Sequence, residues 1–499
     1  MNRRFTSLNL AGIKGWVWMT SLAITILAVG IYLLASYHLQ GTGFPLDDAW
    51  IHQTYARNLA YRAEWSFVPG MPSAGSTSPF WSILLTVGYL FGLAPYFWTF
   101  LLGGGCLLAI SIVGEKWYRS QVTRWNTPGM WMGWFLLLEW HLVWASVSGM
   151  ETTLYIFVIL VTFYLLCQNR PPWLALGLLI GSSVWIRPDG LTLIGPAGWV
   201  ALLSIHDWKG RQKSLVRLLL GFLIGLVPYL FFNFSLSGNL WPNTFYAKQA
   251  EYILLLQKPL WIRLLSLLVL PMIGPGIILL PGVVYAIWRA WWERQWPTVG
   301  AFLWWFGYTF LYATRLPVTY QHGRYLIPAM PVFWIMGGIG MARLISDQLK
   351  KGYWQRMIRT AWAMTLTLTL LGFYFLGAKG YAEDVAIIKT EMVRVAKWLA
   401  IETPSDSLIA AHDIGAIGYF SQRKLLDLAG LISPEVISII RDEPSLAKYL
   451  DEKGADYLVT FPDWYPELTA KAELVFQTDS VFTRSAGYKN MCVYRWKKP

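Results

Sequence analysis

The sequence predicts a polytopic α-helical membrane protein carrying a C-terminal α/β or α+β soluble domain, and three observations carry that reading. Of its 499 residues, 55% are hydrophobic and 30 are Trp, so lipid rather than water must solvate most of the chain. Apolar runs of spanning length recur from the amino end as far as Leu376. The charge is uneven: Met1 to Lys379 holds 27 basic and 11 acidic residues, whereas the stretch from Gly380 onward holds 14 and 17. The basic excess therefore belongs to the membrane part, residues 1–379, where cytoplasmic loops collect Lys and Arg, and is no sign of nucleic-acid binding. Residues 380–499 read as an ordinary soluble domain. Its one thiol, Cys492, excludes a disulfide within it, and Cys106 and Cys167 fall inside apolar runs.

In chain order the apolar runs are Trp16–Ala35, Phe97–Val113, Met130–Val147, Leu154–Cys167, Leu174–Ile186, Leu191–Ile205, Leu218–Phe234, Leu264–Trp288, Phe302–Tyr312, Leu326–Met341 and Ala361–Leu376, about 11 spans. Basic loops set the orientation: Arg3, Arg4 and Lys14; Lys116, Arg119 and Arg124; Lys209, Arg211, Lys213 and Arg217; Arg289 and Arg294; Lys350, Lys351, Arg356 and Arg359. These share one face only if Pro79–Leu93 does not cross. That segment, in SPFWSILLTVGYLFGL, is read as a re-entrant or interfacial helix, tolerated at membrane depth where protein covers it or it lines a cavity. The amino terminus is then cytoplasmic, and the domain from Gly380 lies on the extracytoplasmic side of the plasma membrane. No small-residue cleavage site closes the first span before LDDAW, so no cleaved signal peptide is expected.

The same count puts the segments Tyr37–Ser78, Gly149–Glu151, Arg187–Gly190, Asn233–Arg263 and Thr314–Arg324 on the outer face. Asp47, Asp48, Glu151, Asp189, Lys248, His322 and Arg324 then converge on one outward-facing cavity. No internal repeat or low-complexity run is evident, which disfavours an inverted-repeat transporter.

Asp47 and Asp48 precede AWIHQTYARNLA, whose Ala49, His52, Tyr55 and Ala56 suit a short helix, with His52 a further cavity group. One Asp satisfies an N-cap and the helix dipole alone. A second carboxylate beside it is repelled unless a proton, cation or ligand uses it, so at least one of the pair is read as catalytic or metal-binding. Glu151 opens a span after an outer turn, either as a cap at that amino end or as a second acid facing the pair. Glu139 and His141 lie within a span, as functional candidates or as a paired structural unit. In IRPDG, Arg187 and Asp189 flank a turn, where pairing that fixes helix ends competes with ligand contact. PNTFYAK offers Asn243, Tyr246 and Lys248, the last of which can instead snorkel. In HGRYLIP, Arg324 is the best single phosphate candidate because a guanidinium binds phosphate bidentately; His322 and Tyr325 flank it, and Gly323 lets backbone approach a ligand. Trp131, Trp134, Trp140 and Trp144 read as interfacial anchors and packing. In the soluble domain, AAHDIGAIGYF and KLLDLAGLISPEV read as strand–turn–helix pieces and DYLVTF and MCVYRW as strands; His412 and Asp413 are turn residues within reach of the cavity.

LDDAWIHQTYARNLA, SAGSTSPFW, SGMETTLY, IRPDG, PNTFYAK, HGRYLIPAMP and DLAGLISPE, in that order, resemble the bacterial membrane-embedded glycosyltransferases of the GT-C superfamily. Within it they are similar to the group that includes the mycobacterial terminal β-arabinofuranosyltransferase. The likeness spans nearly the whole chain; each motif alone is weakly specific, and their order and spacing carry it. The resemblance implies a polyprenyl-phosphate-linked sugar donor, bound from the outer leaflet, and an acceptor glycan or glycolipid on the outer face. It matches the catalytic acid of the first outer loop to Asp47 and Asp48 without choosing between them. The amphipathic segment that follows matches Pro79–Leu93.

Such a transferase needs a base for the acceptor hydroxyl, Asp47 or Asp48, in one inverting displacement. It also needs positive charge at the leaving phosphate, supplied by Arg324 with Lys248, His322 or Arg187, and apolar span faces for the prenyl chain. The sequence names no definite cofactor. A divalent cation (Mg²⁺, Mn²⁺ or Ca²⁺) bridging Asp47 or Asp48 and the phosphate is an alternative, weakened by the lack of a dense acid cluster. The same chemistry on protein Ser/Thr or on lipid A is a second reading. A lipid-sugar transporter or flippase and a non-catalytic assembly protein stand outside the class.

Overall fold

A computed structural model describes residues 15–122, 129–348 and 352–497. Of the basic loop residues named above, Arg3, Arg4, Lys14, Arg124, Lys350 and Lys351 lie outside the described residues. The chain is mostly helical and ends in a sheet domain.

The first long helix, α1 (Gly15–Leu39), leads through a short loop into α2 (Asp48–Arg62). A small hairpin, β1 (Ser66–Val68) with β2 (Met71–Pro72), separates α2 from α3 (Pro79–Leu90). Pro79 stands at the first turn of α3, where its missing N–H costs nothing. With 12 residues α3 is about 18 Å long, too short to cross a bilayer core. It packs on α2 instead, and Trp81 Nε1 donates to Gly149 O at 2.9 Å.

The helices that follow are α4 (Pro95–Gln121), α5 (Trp131–Leu138), α6 (Trp140–Ser146), α7 (Thr152–Leu166), α8 (Trp173–Ser183), α9 (Ile194–Ser204) and α10 (Trp208–Ser237). After them come α11 (Asn243–Glu251), α12 (Leu260–Val269), α13 (Gly276–Trp292), α14 (Trp296–Arg315) and the distorted turn α15 (Tyr320–Gly323). The last two of the membrane part are α16 (Met330–Gln348) and α17 (Tyr353–Ile388). Among the described residues five helical stretches are long and apolar enough to cross a membrane: Gly15–Leu39, Pro95–Gln121, Trp208–Ser237, Ile327–Ser346 and Tyr353–Glu402. A sixth counts if the pair Leu260–Met272 and Gly276–Trp292, bent by 106°, is one span. The eleven runs expected from hydropathy thus include several that are helices of sub-spanning length.

Two of those differences have local causes. The run Met130–Val147 is two helices because the Glu139 carboxylate accepts from His141 N at 3.0 Å and Leu142 N at 3.2 Å, restarting the helix as its cap. His141 Nδ1 also contacts Glu139 Oε1 at 2.9 Å, so the pair is built into the break. The run Leu264–Trp288 bends at Gly274, whose φ of +81° suits glycine, between Pro271 and Pro275. Close helix contacts elsewhere come from small residues. A Cβ on Gly177 would lie 2.0 Å from Leu218 O and one on Gly221 2.2 Å from Leu174 O, so α8 and α10 meet backbone to backbone.

The helix α17 runs unbroken through the Lys379–Gly380 boundary drawn from charge, then continues by a π-turn (Lys389–Val393) into α18 (Arg394–Glu402). Its last turns face the membrane part: Tyr381 OH donates to Gly43 O at 3.1 Å and Val385 packs on Gly43. The sheet domain holds β3 (Leu408–Ala411), α19 (Gly415–Ser421), β4 (Lys424–Asp427), α20 (Glu443–Lys453), β5 (Tyr457–Thr460), β6 (Glu473–Gln477) and β7 (Cys492–Arg495). Strand order is β4-β3-β5-β7-β6, with β4, β3 and β5 parallel and β7 antiparallel to both neighbours. Strands β3 and β5 are largely buried, as interior parallel strands require.

Candidate functional site

The two adjacent aspartates part company. Asp48, the first residue of α2, lines a cavity of about 340 Å³. Asp47 turns the other way, and its Oδ2 and Oδ1 accept from Gly415 N at 2.7 Å and Ala416 N at 2.8 Å at the start of α19. Asp47 is thus the pin between α2 and the sheet domain. Gly415 is required there because a Cβ would stand 2.1 Å from Asp47 O.

Asp48 Oδ2 lies 2.9 Å from Arg324 Nη1 and 3.5 Å from Lys248 Nζ. Arg324 Cζ and Lys248 Nζ both stand over the Tyr325 ring, at 4.9 and 5.3 Å, and Arg324 Nη2 donates to Tyr325 OH at 2.9 Å. Burial alone would raise Asp48; Lys248 and Arg324 overcome it and hold the carboxyl well below the usual range.

In the same cavity Arg187 carries its own compensation. Its Nε donates to Asp189 Oδ1 at 3.1 Å, its Nη1 lies 3.4 Å from Glu151 Oε1, and its Nη2 donates to Tyr312 OH at 3.1 Å. Tyr308 OH and Tyr312 OH both donate to Asp189 Oδ2, the latter at 2.8 Å. Two carboxylates and a hydrogen-bond network therefore neutralise Arg187, whereas Arg324 and Lys248 share one carboxylate oxygen.

Of the residues expected from sequence, Asp48, Glu151, Arg187, Asp189, Lys248, Arg324 and Tyr325 meet in this cavity. The others do not line it. His52, buried, sits behind Glu151, with Nε2 at 3.6 Å from Glu151 Oε2 and Nδ1 at 3.1 Å from Ser82 Oγ. His322 is engaged elsewhere: its Nε2 lies 2.8 Å from Asp384 Oδ2, which Trp144 Nε1 also reaches at 2.9 Å. Gln321, His322 and Gly323 all have positive φ, and that reversal turns the imidazole away from the cavity. Asn243 spends its amide on Leu431 O at 3.3 Å, and Tyr246 is turned outward beside Phe245.

Tyr312 and Thr244 line the cavity and escaped the sequence reading, as did Tyr308 beside them; Asp413 and His412, read from sequence as turn residues within reach of the cavity, do not line it. Tyr308 and Tyr312 are spaced i, i+4 in GYTFLYATR, so one helix face aims both at Asp189, a signal that was present. Thr244 lines the cavity with a buried hydroxyl that has no partner among the described residues. Asp413, in the turn after β3, has a buried, unpartnered Oδ2 and interacts electrostatically with Asp47 and Asp48. Its neighbour His412 contacts Tyr465 OH at 2.8 Å and Glu251 Oε1 at 3.3 Å, a second tie between the sheet domain and α11.

A divalent cation does not fit this donor set. Both Asp47 oxygens accept amides, Asp48 is compensated by two cations, and among the described residues no three His, Cys, Asp or Glu side chains are grouped so as to hold a metal ion.

Burial and the facing Asp413 push Asp47 up to about 8, against the pull of the Ala416 and Gly415 amides. Burial likewise pushes Asp413 up to about 6, with His412 opposing. Folded values above the ordinary carboxyl range mean that the stability tied to these protons is complete at low pH and is lost as pH rises through about 6 and then about 8. The thermal midpoint of the detergent-solubilised chain is therefore expected to fall from about pH 4, the ordinary carboxyl value, up to about pH 8, and to fall less in Asp47→Asn. An identical pH dependence in the variant would remove Asp47 from this account.

Residues 383–494 match a family model described as a domain of unknown function, DUF8728. No curated protein matches the sequence. Among solved structures, ArnT from Cupriavidus metallidurans bound to undecaprenyl phosphate is similar at a TM-score of 0.59 and 14% identity, over 96% of this chain and 98% of that one. The Archaeoglobus fulgidus oligosaccharyltransferase AglB, in complex with an inhibitory peptide and a dolichol-phosphate, is similar at 0.60 and 11%, over 90% of this chain and 70% of that one. Arabinofuranosyltransferase AftD from Mycobacteria gives 0.48 and 14%, over 94% and 41%, and at that score carries no argument about arabinose. At such identities the likeness is one of fold.

Proposed function

The chain has the fold of the GT-C membrane glycosyltransferases, and from that premise we propose that it moves a sugar from a polyprenyl-phosphate donor to an acceptor glycan or glycolipid on the outer face of the membrane. The observation that carries the reading is the charge of the cavity lining: Arg187, Lys248, Arg315 and Arg324 stand against Asp48, Glu151 and Asp189, one cation in excess in a mostly apolar space, and Arg324 and Lys248 share the one carboxylate of Asp48. A phosphate on a prenyl chain supplies the missing anion and the apolar body together.

In this mechanism the donor phosphate draws Arg324 and Lys248 onto itself. Asp48, relieved of both, rises toward the ordinary carboxyl range and becomes a stronger base. The acceptor oxygen attacks the anomeric carbon from the face opposite the phosphate and its proton passes to Asp48. The bond between carbon and phosphate oxygen breaks, its electron pair leaving with polyprenyl phosphate, and the two cations hold that anion as charge develops. Asp47 keeps the sheet domain seated and takes no part in the transfer. The amino terminus is cytoplasmic and the sheet domain extracytoplasmic, consistent with the basic loops.

Release of free polyprenyl phosphate from a panel of synthetic polyprenyl-phosphate sugars by the purified chain tests this. Turnover of one donor establishes the transferase and names its sugar. No turnover of any donor by protein that still binds polyprenyl phosphate would favour a lipid-sugar transporter instead.

A further inference from the structure

A second cavity, of about 280 Å³, lies at the seam between the C-terminal half of α2, the β1–β2 hairpin and the turn from α19 to β4. Arg57, Arg62 and Arg423 line it, and no acidic residue does. None of the three forms an ion pair among the described residues. Glu64 is close in sequence, but its Oε2 is turned into the hairpin, accepting from Gly70 N at 2.8 Å and Ser66 Oγ at 3.3 Å.

The three guanidinium groups differ in what they have left to give. Arg423 donates to Ala400 O, Thr403 O and Oγ1 and Ser421 O, so it contributes a fixed field and few free donors. Arg57 spends Nη1 on Tyr419 O at 2.8 Å and lies 4.6 Å from the Tyr419 ring, keeping its remaining N–H groups. Arg62 is exposed and has no hydrogen-bond partner among the described residues. Gln422, in the same wall, holds φ at +53°, a left-handed conformation that a side chain larger than Asn or Asp adopts at a cost. Like charges gathered without a carboxylate repel one another unless an anion joins them.

The position matters as much as the charge. Arg57 and Arg62 lie on the helix that begins with Asp48, about 14 and 21 Å along its axis; at about 100° per residue Arg57 falls on the side opposite Asp48 and Arg62 within about 40° of it, so Arg62 is the group aligned with Asp48 at the span of a short oligosaccharide. We propose that this cavity is a subsite for the acceptor, binding a phosphate or carboxylate group of an acidic glycan on Arg57 and Arg62 while the hydroxyl to be glycosylated reaches Asp48. The proposal rests on the transferase reading and adds the acceptor's chemistry: it is anionic, and it carries the charge several sugar units from the reacting end.

Binding to the full chain in zwitterionic-lipid nanodiscs tests it, using fluorescent dextran sulfate oligosaccharide as the probe and unsulfated dextran of the same length as its control. The sulfated probe is expected to bind, to be displaced by inorganic phosphate, and to weaken about tenfold in Arg62→Gln, the loss of one charge-assisted contact. Unchanged thermal unfolding of that variant shows that it is folded. Equal binding of both dextrans, or indifference to Arg62→Gln, overturns the subsite. Binding that follows phosphatidylglycerol content of the nanodisc and ignores the glycan overturns it in favour of a lipid headgroup. Because the readout is binding, the two readings fail separately. An Arg62-dependent sulfated complex without donor turnover removes the transferase and leaves the anion site, and turnover without that dependence does the reverse.

Discussion

Asp48→Asn is expected to lower the rate of sugar transfer by about 10²–10⁴-fold, the range lost when a general base is removed. The variant keeps the shape of the side chain and removes its charge, so the Oδ2 that lies 2.9 Å from Arg324 and 3.5 Å from Lys248 no longer competes for them. Polyprenyl phosphate is therefore expected to bind as tightly as in the wild type or more tightly, and the loss appears in kcat rather than KM. Asp47→Asn makes the contrast: one amide oxygen remains for the Gly415 and Ala416 N–H groups, and the effect falls on stability and on its pH dependence. Rates and donor binding measured on both variants decide the matter. A dead Asp47→Asn beside an active Asp48→Asn would reverse the assignment of the pair.

The second large effect is one of folding. The Glu151 and Asp189 side chains are only 4% and 11% exposed, and Arg187 is their common cation. Arg187→Gln leaves two buried carboxylates without it, and removing one partner of a buried pair costs about 3–5 kcal/mol. Restoring neutrality with Glu151→Gln and Asp189→Asn in the same chain is expected to recover part of that loss, a coupling that a triple-mutant comparison of unfolding midpoints reads directly. If Arg187→Gln unfolds like the wild type and loses polyprenyl-phosphate binding instead, Arg187 holds ligand, not helix ends.

The parts of this site legible in the sequence are those set by local pattern. An acid pair opening a short helix, a guanidinium after a tight turn, and an apolar segment set apart from the spans by charge topology were all readable, as were the strands DYLVTF and MCVYRW. What escaped depends on distant partners. Neighbouring residues on a helix point about 100° apart, but which of Asp47 and Asp48 meets the cavity is decided by α19, far along the chain. His322 sits beside Arg324 in sequence, yet three successive positive φ angles and Asp384 take it elsewhere. The break at Glu139 was hidden for the same reason: a carboxylate inside an apolar run reads as an anomaly until its amides are found.

The unbroken course of α17 determines how the molecule can be divided. Its 36 residues make a rod about 54 Å long, longer than the hydrocarbon core of a bilayer at about 30 Å, so one end stands clear of lipid as a stalk. The sheet domain grows from that stalk, and Asp47 fastens it a second time at α2. A cut between Lys379 and Gly380 would sever the rod and strip Tyr381 and Val385 from the surface they cover. The domain is joined to the helical part by a spine and a latch together.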